Sequence, residues 1–150
     1  MENQNVEKFI VYHPMTQTYL FDSNDVLNDD NMIEAHSSFS EDRNFFQLGK
    51  DSHDHYSIKN VSTSRYVFVS KDEKSGDPVV EAHGKAEEDR NGFVFEKVDN
   101  SDRYRIFNPA TGLYLFVSND MEKGDHVVEA HADKEEARNE FQLWSIYTPF

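Results

Sequence analysis

The sequence predicts an all-β domain of three like units, each of four short strands, closed on one another with pseudo-three-fold symmetry. Two observations carry this. The first is internal repetition: Phe9 to Leu48, Tyr56 to Phe95 and Tyr104 to Leu143 align without a gap, and thirteen positions are identical in all three. Among them are Glu34-Ala35-His36 with Arg43-Asn44 and Phe46, Glu81-Ala82-His83 with Arg90-Asn91 and Phe93, and Glu129-Ala130-His131 with Arg138-Asn139 and Phe141. Self-similarity at a fixed period marks a fold built by stacking one supersecondary unit. The second is local pattern, since apolar residues alternate over four to six positions between clusters of turn-formers.

The third unit shows the elements most clearly. Tyr104 to Phe107 reads as the first strand, Asn108-Pro109-Ala110-Thr111-Gly112 as a turn, and Leu113 to Val117 as the second strand. Lys123-Gly124-Asp125 turns the chain again, Val127 to His131 is the third strand, and Phe141 to Trp144 the fourth. The charged stretch Ala132 to Arg138 has room for a helical turn and is too short for a core helix. The units run over about 9–50, 56–99 and 104–150, within a single domain of residues 1–150. One unit has too few apolar positions to bury its own face, so an array of separate blades is excluded. Closure remains, and it removes the sheet edges that would otherwise invite aggregation.

Alternation assigns the faces. On the third strand of each unit Ile33, Val80 and Val128, with Ala35, Ala82 and Ala130, point into the core, which sends Glu34, Glu81, Glu129 and the histidines outward. Phe46, Phe93 and Phe141 on the fourth strand, and Val11, Ile58 and Ile106 on the first, share the inward side. Phe21, Phe68 and Phe116 alternate with Leu20, Val67 and Leu115 and are therefore expected outside.

Bulk properties narrow the function. With 29 acidic against 15 basic side chains and a net charge of -14, the surface repels nucleic acid and anionic lipid. There is no cysteine, which removes disulfides, thiolate catalysis and zinc-thiolate sites. Met1 to Lys8 is polar and acidic, unlike a signal peptide, and no run approaches membrane-spanning length. A cytoplasmic protein, or one exported without a signal peptide, is the expectation, and no membrane insertion.

Each unit presents a carboxylate, an imidazole, a guanidinium and a carboxamide in one strand-loop segment: Glu34, His36, Asp42, Arg43 and Asn44; Glu81, His83, Asp89, Arg90 and Asn91; Glu129, His131, Arg138 and Asn139. Planar donors and acceptors of this kind bind polyhydroxyl compounds, and Phe21, Phe68 and Phe116 are positioned to stack on a sugar face. The alternative is internal bracing, with arginine paired to Glu34 or Glu41 and asparagine bonded to loop backbone. No glycine-rich phosphate loop or nucleophile elbow is present, and chemistry needs unlike groups at one place, so an enzyme is not expected. Neither a cofactor nor a metal is expected, because each unit has a single repeated histidine. Three equivalent sites suit multivalent binding.

These residues resemble the β-trefoil lectins. Ricin-type units run Thr-Gly-x-Cys-Leu-Asp-Val, a Gly-Asn turn, Gln-x-Trp and Asn-Gln-x-Trp. Thr111-Gly112-Leu113-Tyr114-Leu115-Phe116-Val117, Gly124-Asp125, Glu129-Ala130-His131 and Arg138-Asn139-Glu140-Phe141 follow that layout. The resemblance implies a β-trefoil, a six-stranded barrel capped by three hairpins, and a lectin function. Phe21, Phe68 and Phe116 stand where that family has its sugar-binding Asp, the three histidines where it has its stacking aromatic, and the three arginines where it has its sugar-binding Asn. The mussel lectins, which bind galactose-type sugars through histidine and aspartate, are similar in the segments His36 with Glu41-Asp42-Arg43 and His83 with Glu88-Asp89-Arg90. Glycans, with galactose-type sugars as the nearest precedent, are thus the implied ligands. The other role this fold hosts is protein binding, as a protease inhibitor or cytoskeletal adaptor, through the unrepeated segments Lys50–His55, Asp22–Asn31 and Trp144–Phe150.

Overall fold

The computed structural model describes residues 6–50, 54–86 and 88–148. Twelve strands are present: β1 (Val6–His13), β2 (Thr18–Leu27), β3 (Asp30–His36), β4 (Phe45–Lys50), β5 (Tyr56–Asn60), β6 (Tyr66–Lys74), β7 (Asp77–His83), β8 (Val94–Lys97), β9 (Tyr104–Asn108), β10 (Leu113–Glu122), β11 (Asp125–His131) and β12 (Glu140–Thr148). Single 3-10 turns at Asp42–Asn44, Asp89–Asn91 and Ala137–Asn139 precede β4, β8 and β12, in the stretch where the sequence allowed a helical turn. Among the described residues no helix is long and apolar enough to cross a membrane.

Six strands form a barrel in the order β5-β4-β1-β12-β9-β8. Tyr56 and Phe93 close it, each N–H donating to the other's carbonyl at 2.8 Å. The other six make the hairpins β2–β3, β6–β7 and β10–β11, whose third-strand members pair with one another as β3–β7, β7–β11 and β11–β3. Every hairpin is thereby tied to both of the others, and the cap has no free third-strand edge.

The main core lies inside the barrel and under this cap. Phe46, Phe93 and Phe141 meet Val11, Ile58 and Ile106, with Ile33, Val80 and Val128 and the three alanines above them, as alternation predicts. Leu48, Phe95 and Leu143 pack against the same cluster. A second, smaller core of Met32, Val79 and Val127 lies on the other face of the cap strands. Both faces of each hairpin are therefore buried over part of their length, which period-two alternation does not reveal.

The second strands are longer than the apolar pattern suggests. Each passes through a register shift, between Asp22 and Val26, Val69 and Glu73, and Val117 and Met121. Beyond the bulge it continues polar to a two-residue turn with positive φ at both positions: Asn28 (51°) and Asp29 (83°), Ser75 (50°) and Gly76 (87°), Lys123 (50°) and Gly124 (90°). Such turns match strand twist but strain side-chain-bearing residues, most at the second position. Glycine relieves this in two units, and exposed Asp29 does not in the first. Asp29→Gly is accordingly expected to raise stability by about 1 kcal/mol, measured as an upward shift in the urea midpoint at unchanged slope.

Candidate functional site

The triplicated polar residues converge as the alignment predicts, but most of them face inward. Glu34, Glu81 and Glu129 are 0%, 0% and 1% exposed, which corrects the expectation that they point to solvent. Each is enclosed by its own hairpin folding back at the bulge. Ser23, Ser70 and Ser118 set an Oγ 3.0–3.1 Å from the glutamate Oε2 and 2.7–2.8 Å from the carbonyl of Met32, Val79 or Val127. The backbone N–H of Asp25, Asp72 and Asp120 donates to the same hydroxyl at 3.1 Å.

Burial is the main cause that pushes all three glutamates up to about 9, and a hydrogen bond to the neighbouring Asp25, Asp72 or Asp120 adds to it. Asp125, Asp30 and Asp77, from the adjoining third strands, raise them further by charge repulsion. Glu34 Oε1 and Glu81 Oε1 have no hydrogen-bond partner, as suits a neutral acid better than a carboxylate. Desolvation works against ionisation of Asp25, yet hydrogen bonds from Lys123 and Glu34 hold it below the usual carboxylate range, and the bond from Glu129 does the same for Asp120.

These aspartates also receive the next hairpin. Asn28 Nδ2 donates to Asp72 at 2.6 Å, Ser75 Oγ to Asp120 at 2.9 Å, and Lys123 Nζ to Asp25 at 2.8 Å. The three turn tips thus close a ring of contacts around the cap.

Phe21, Phe68 and Phe116 are also buried, at 9%, 8% and 7%, so they are not open stacking surfaces for a ligand. The reason is the histidine of the paired strand. His36, His83 and His131 lie flat on these rings at centroid distances of 3.7, 3.7 and 3.8 Å and angles of 10°, 10° and 13°. Their Nε2 atoms meet the carboxamides of Asn44 (3.3 Å), Asn91 (2.9 Å) and Asn139 (2.9 Å), which are themselves buried. The asparagines also bond to backbone, at Leu20 O, Lys85 O and Asp133 O, which is the bracing role.

Arginine braces too, against carbonyls rather than the expected acids. Arg43 Nη1 donates to Asp22 O (2.8 Å) and Ser23 O (3.1 Å), Arg90 to Val69 O (2.5 Å) and Ser70 O (3.1 Å), and Arg138 to Val117 O (2.6 Å). These are the carbonyls the bulge releases from the ladder. The arginine backbone is gripped in turn by the following unit in the ring: His13 bonds Arg138 O, Asn60 bonds Arg43 O and Asn108 bonds Arg90 O, at 2.9–3.1 Å. His13 is fully buried, and desolvation lowers it to about 4.

What remains open is a shallow pocket of about 270 Å³ in the second unit. Lys71, Asp72, His83, Lys85, Glu88 and Arg90 line it from one side, and Asn28 and Asp30 of the first unit from the other. His83, Arg90, Glu81 and Phe68 of the expected set line it, and Glu88 was expected only through the lectin-like segment His83 with Glu88-Asp89-Arg90. Lys71 and Lys85 were missed because they differ between copies, and Asn28 and Asp30 were expected only as part of the protein-binding segment Asp22–Asn31. Asp42 and Asp89 sit exposed on the 3-10 turns.

A second open feature is an aromatic patch where the first and third units meet. Tyr12, Tyr19, Phe39 and Trp144 touch at 4.8–5.6 Å, with Phe39 52% and Trp144 38% exposed. Its only sequence signal was the unrepeated Trp144, within the segment Trp144–Phe150. Residues 149–150, residues 51–53 of Lys50–His55 and residues 1–5 of the N-terminal segment lie outside the described residues.

Residues 43–129, more than half of the chain, match the model of the ricin-type beta-trefoil lectin domain-like family. No curated protein matches the sequence. Among solved structures, the designed three-fold symmetric protein ThreeFoil is similar with a TM-score of 0.77 and 13% identity, over 91% of this chain and 96% of that one. The Macrolepiota procera ricin B-like lectin, solved with lactose, has a TM-score of 0.73 and 12% identity over 91% and 93%. The Arabidopsis thaliana SDF2-like protein has a TM-score of 0.82 and 12% identity over 99% and 98%. At these identities the likeness is one of fold.

Two expectations follow from the inward-facing groups. Glutamates raised from 4.5 to about 9 take up protons on folding between those pH values, so their stabilising contribution is full below 4.5 and is lost as pH rises through 9. His13, lowered from 6.5 to about 4, acts oppositely, and only below 6.5. From pH 6.5 to 9 the melting temperature should therefore fall. Each fully linked proton contributes about 1.4 kcal/mol per pH unit, and the triple variant E34Q/E81Q/E129Q should flatten the curve. A parent curve flat over this range would contradict the buried acids. His83→Ala should cost about 2–3 kcal/mol, from the lost stack and an unpaired Asn91 carboxamide, read by urea denaturation.

Proposed function

The chain belongs to the ricin-type β-trefoil lectin domain-like family, and on that footing we propose that it is a non-enzymatic carbohydrate-binding protein. On this reading its three units make one domain with pseudo-three-fold symmetry. The observation that carries the reading is the second-unit pocket, where two ammonium groups, carboxylates, an imidazole and a guanidinium converge on about 270 Å³. That volume takes a sugar ring or two, and the lining supplies the planar and charged hydrogen-bond partners that hydroxyl groups require.

The site is the segment His83 to Arg90 together with Lys71 and the turn tip of the first unit. His36, Asp42 and Arg43, and His131 and Arg138, occupy the corresponding places in the other units, and three shallow sites would act by avidity. Glu81 and Phe68, though buried, also line this pocket and support it from the cap. The imidazoles and guanidiniums are engaged by carboxamides and carbonyls, an arrangement that holds a ligand and does not move protons. The lactose bound by the Macrolepiota lectin makes galactose-type sugars the first to test.

A second reading, protein binding through an unrepeated surface, is favoured by the exposed rings of Phe39 and Trp144. A glycan array probed with the parent chain and with the variant K71A/K85A/E88A separates the two. The parent should bind galactose-terminated or other glycans, and the variant should lose about tenfold or more in affinity at unchanged melting temperature. No binding by the parent on a broad array would overturn the lectin reading.

A further inference from the structure

Independently of any glycan, the geometry points to a divalent transition-metal site in the third unit, made by His131, Asp133 and Glu136. One ring nitrogen and one oxygen of each carboxylate lie within 4.8 Å of one another. An ion bonded to all three at about 2.0–2.2 Å would draw them together to about 3.4 Å, a movement that the exposed Asp133 and Glu136 side chains can make by rotation. Asp133 and Glu136 are exposed, so an ion has an open path.

The histidine is already held in place. Its ring is fixed by the stack on Phe116, and Nε2 lies 2.9 Å from Asn139 Oδ1. An amide oxygen only accepts, so Nε2 donates to it and Nδ1 is the nitrogen left for an ion. Metal-bound imidazoles are held in this manner, the second nitrogen donating to an oxygen of the protein. Asn139 Nδ2 in turn donates to Asp133 O at 2.6 Å, which keeps the acid-bearing loop beside the ring.

The other units supply an independent comparison. At the place of Asp133 the first unit has Ser38 and the second has Lys85. Lys85 Nζ lies 3.6 Å from Glu88 Oε2, so in the second unit an ammonium serves the carboxylate equivalent to Glu136. In the third unit a carboxylate replaces that ammonium. Arg105, the nearby guanidinium, pairs with Glu135 instead. Two acids and an imidazole then share a site for which no ion pair to a lysine or arginine is found among the described residues, and a metal ion would supply the balancing charge. Imidazole with two carboxylates suits Zn²⁺ or Mn²⁺ better than Ca²⁺.

The test is titration of Zn²⁺ into the metal-stripped full chain by calorimetry, with the His131 ring resonances followed by NMR. One ion should bind with a shift at His131, and Asp133→Ser or Glu136→Gln should weaken it about tenfold or more. A parent chain in which Zn²⁺ leaves the His131 resonances unmoved overturns the site. So does unchanged affinity in both variants, and since both substitutions are at exposed positions their circular dichroism should match the parent's.

Discussion

The cap of this fold depends on a buried glutamic acid beside a half-buried aspartate, used three times. A serine hydroxyl joins the glutamate and the aspartate N–H to the strand opposite, and the aspartate side chain receives the tip of the next hairpin. Burial makes ionisation of each glutamate costly, and the neighbouring aspartate adds to the cost, which pushes all three up to about 9. A neutral glutamic acid is what an acidic chain can bury under the cap.

The second constraint is the Arg-Asn loop, and it links the units around the barrel. A bulge leaves ladder carbonyls unpaired, and a buried unpaired carbonyl is costly. The guanidinium of the same unit answers two of them, the asparagine holds the loop and the histidine, and the arginine's own carbonyl is taken by the neighbouring unit. Identity of these residues in triplicate reflects one geometric problem solved three times.

The same logic separates fold from function within the repeat. Most identical positions are occupied by cap, bulge and core, the exposed Glu41, Glu88 and Glu136 apart, while other groups that face solvent at corresponding places differ: Ser38, Lys85 and Asp133, or Phe39, Ala86 and Lys134. Each unit therefore carries its own surface on a common frame, a pocket with ammonium groups in the second, a histidine with two acids in the third, and open aromatic rings where the first meets the third.

From the sequence alone the three units, the strand type and the barrel-facing residues were legible, because period-two alternation and turn chemistry are local and each unit repeats them. Phe46, Phe93 and Phe141 lie where alternation put them, and Asn44, Asn91 and Asn139 brace their loops. The direction of Glu34, Glu81, Glu129 and of Phe21, Phe68, Phe116 was decided only by tertiary structure. Alternation divides a strand into two faces but does not say that both are covered. Here the hairpins curl over at their bulges, the next hairpin's tip and a stacked imidazole close the outer face, and the residues that looked most available for a ligand became the interior of the cap.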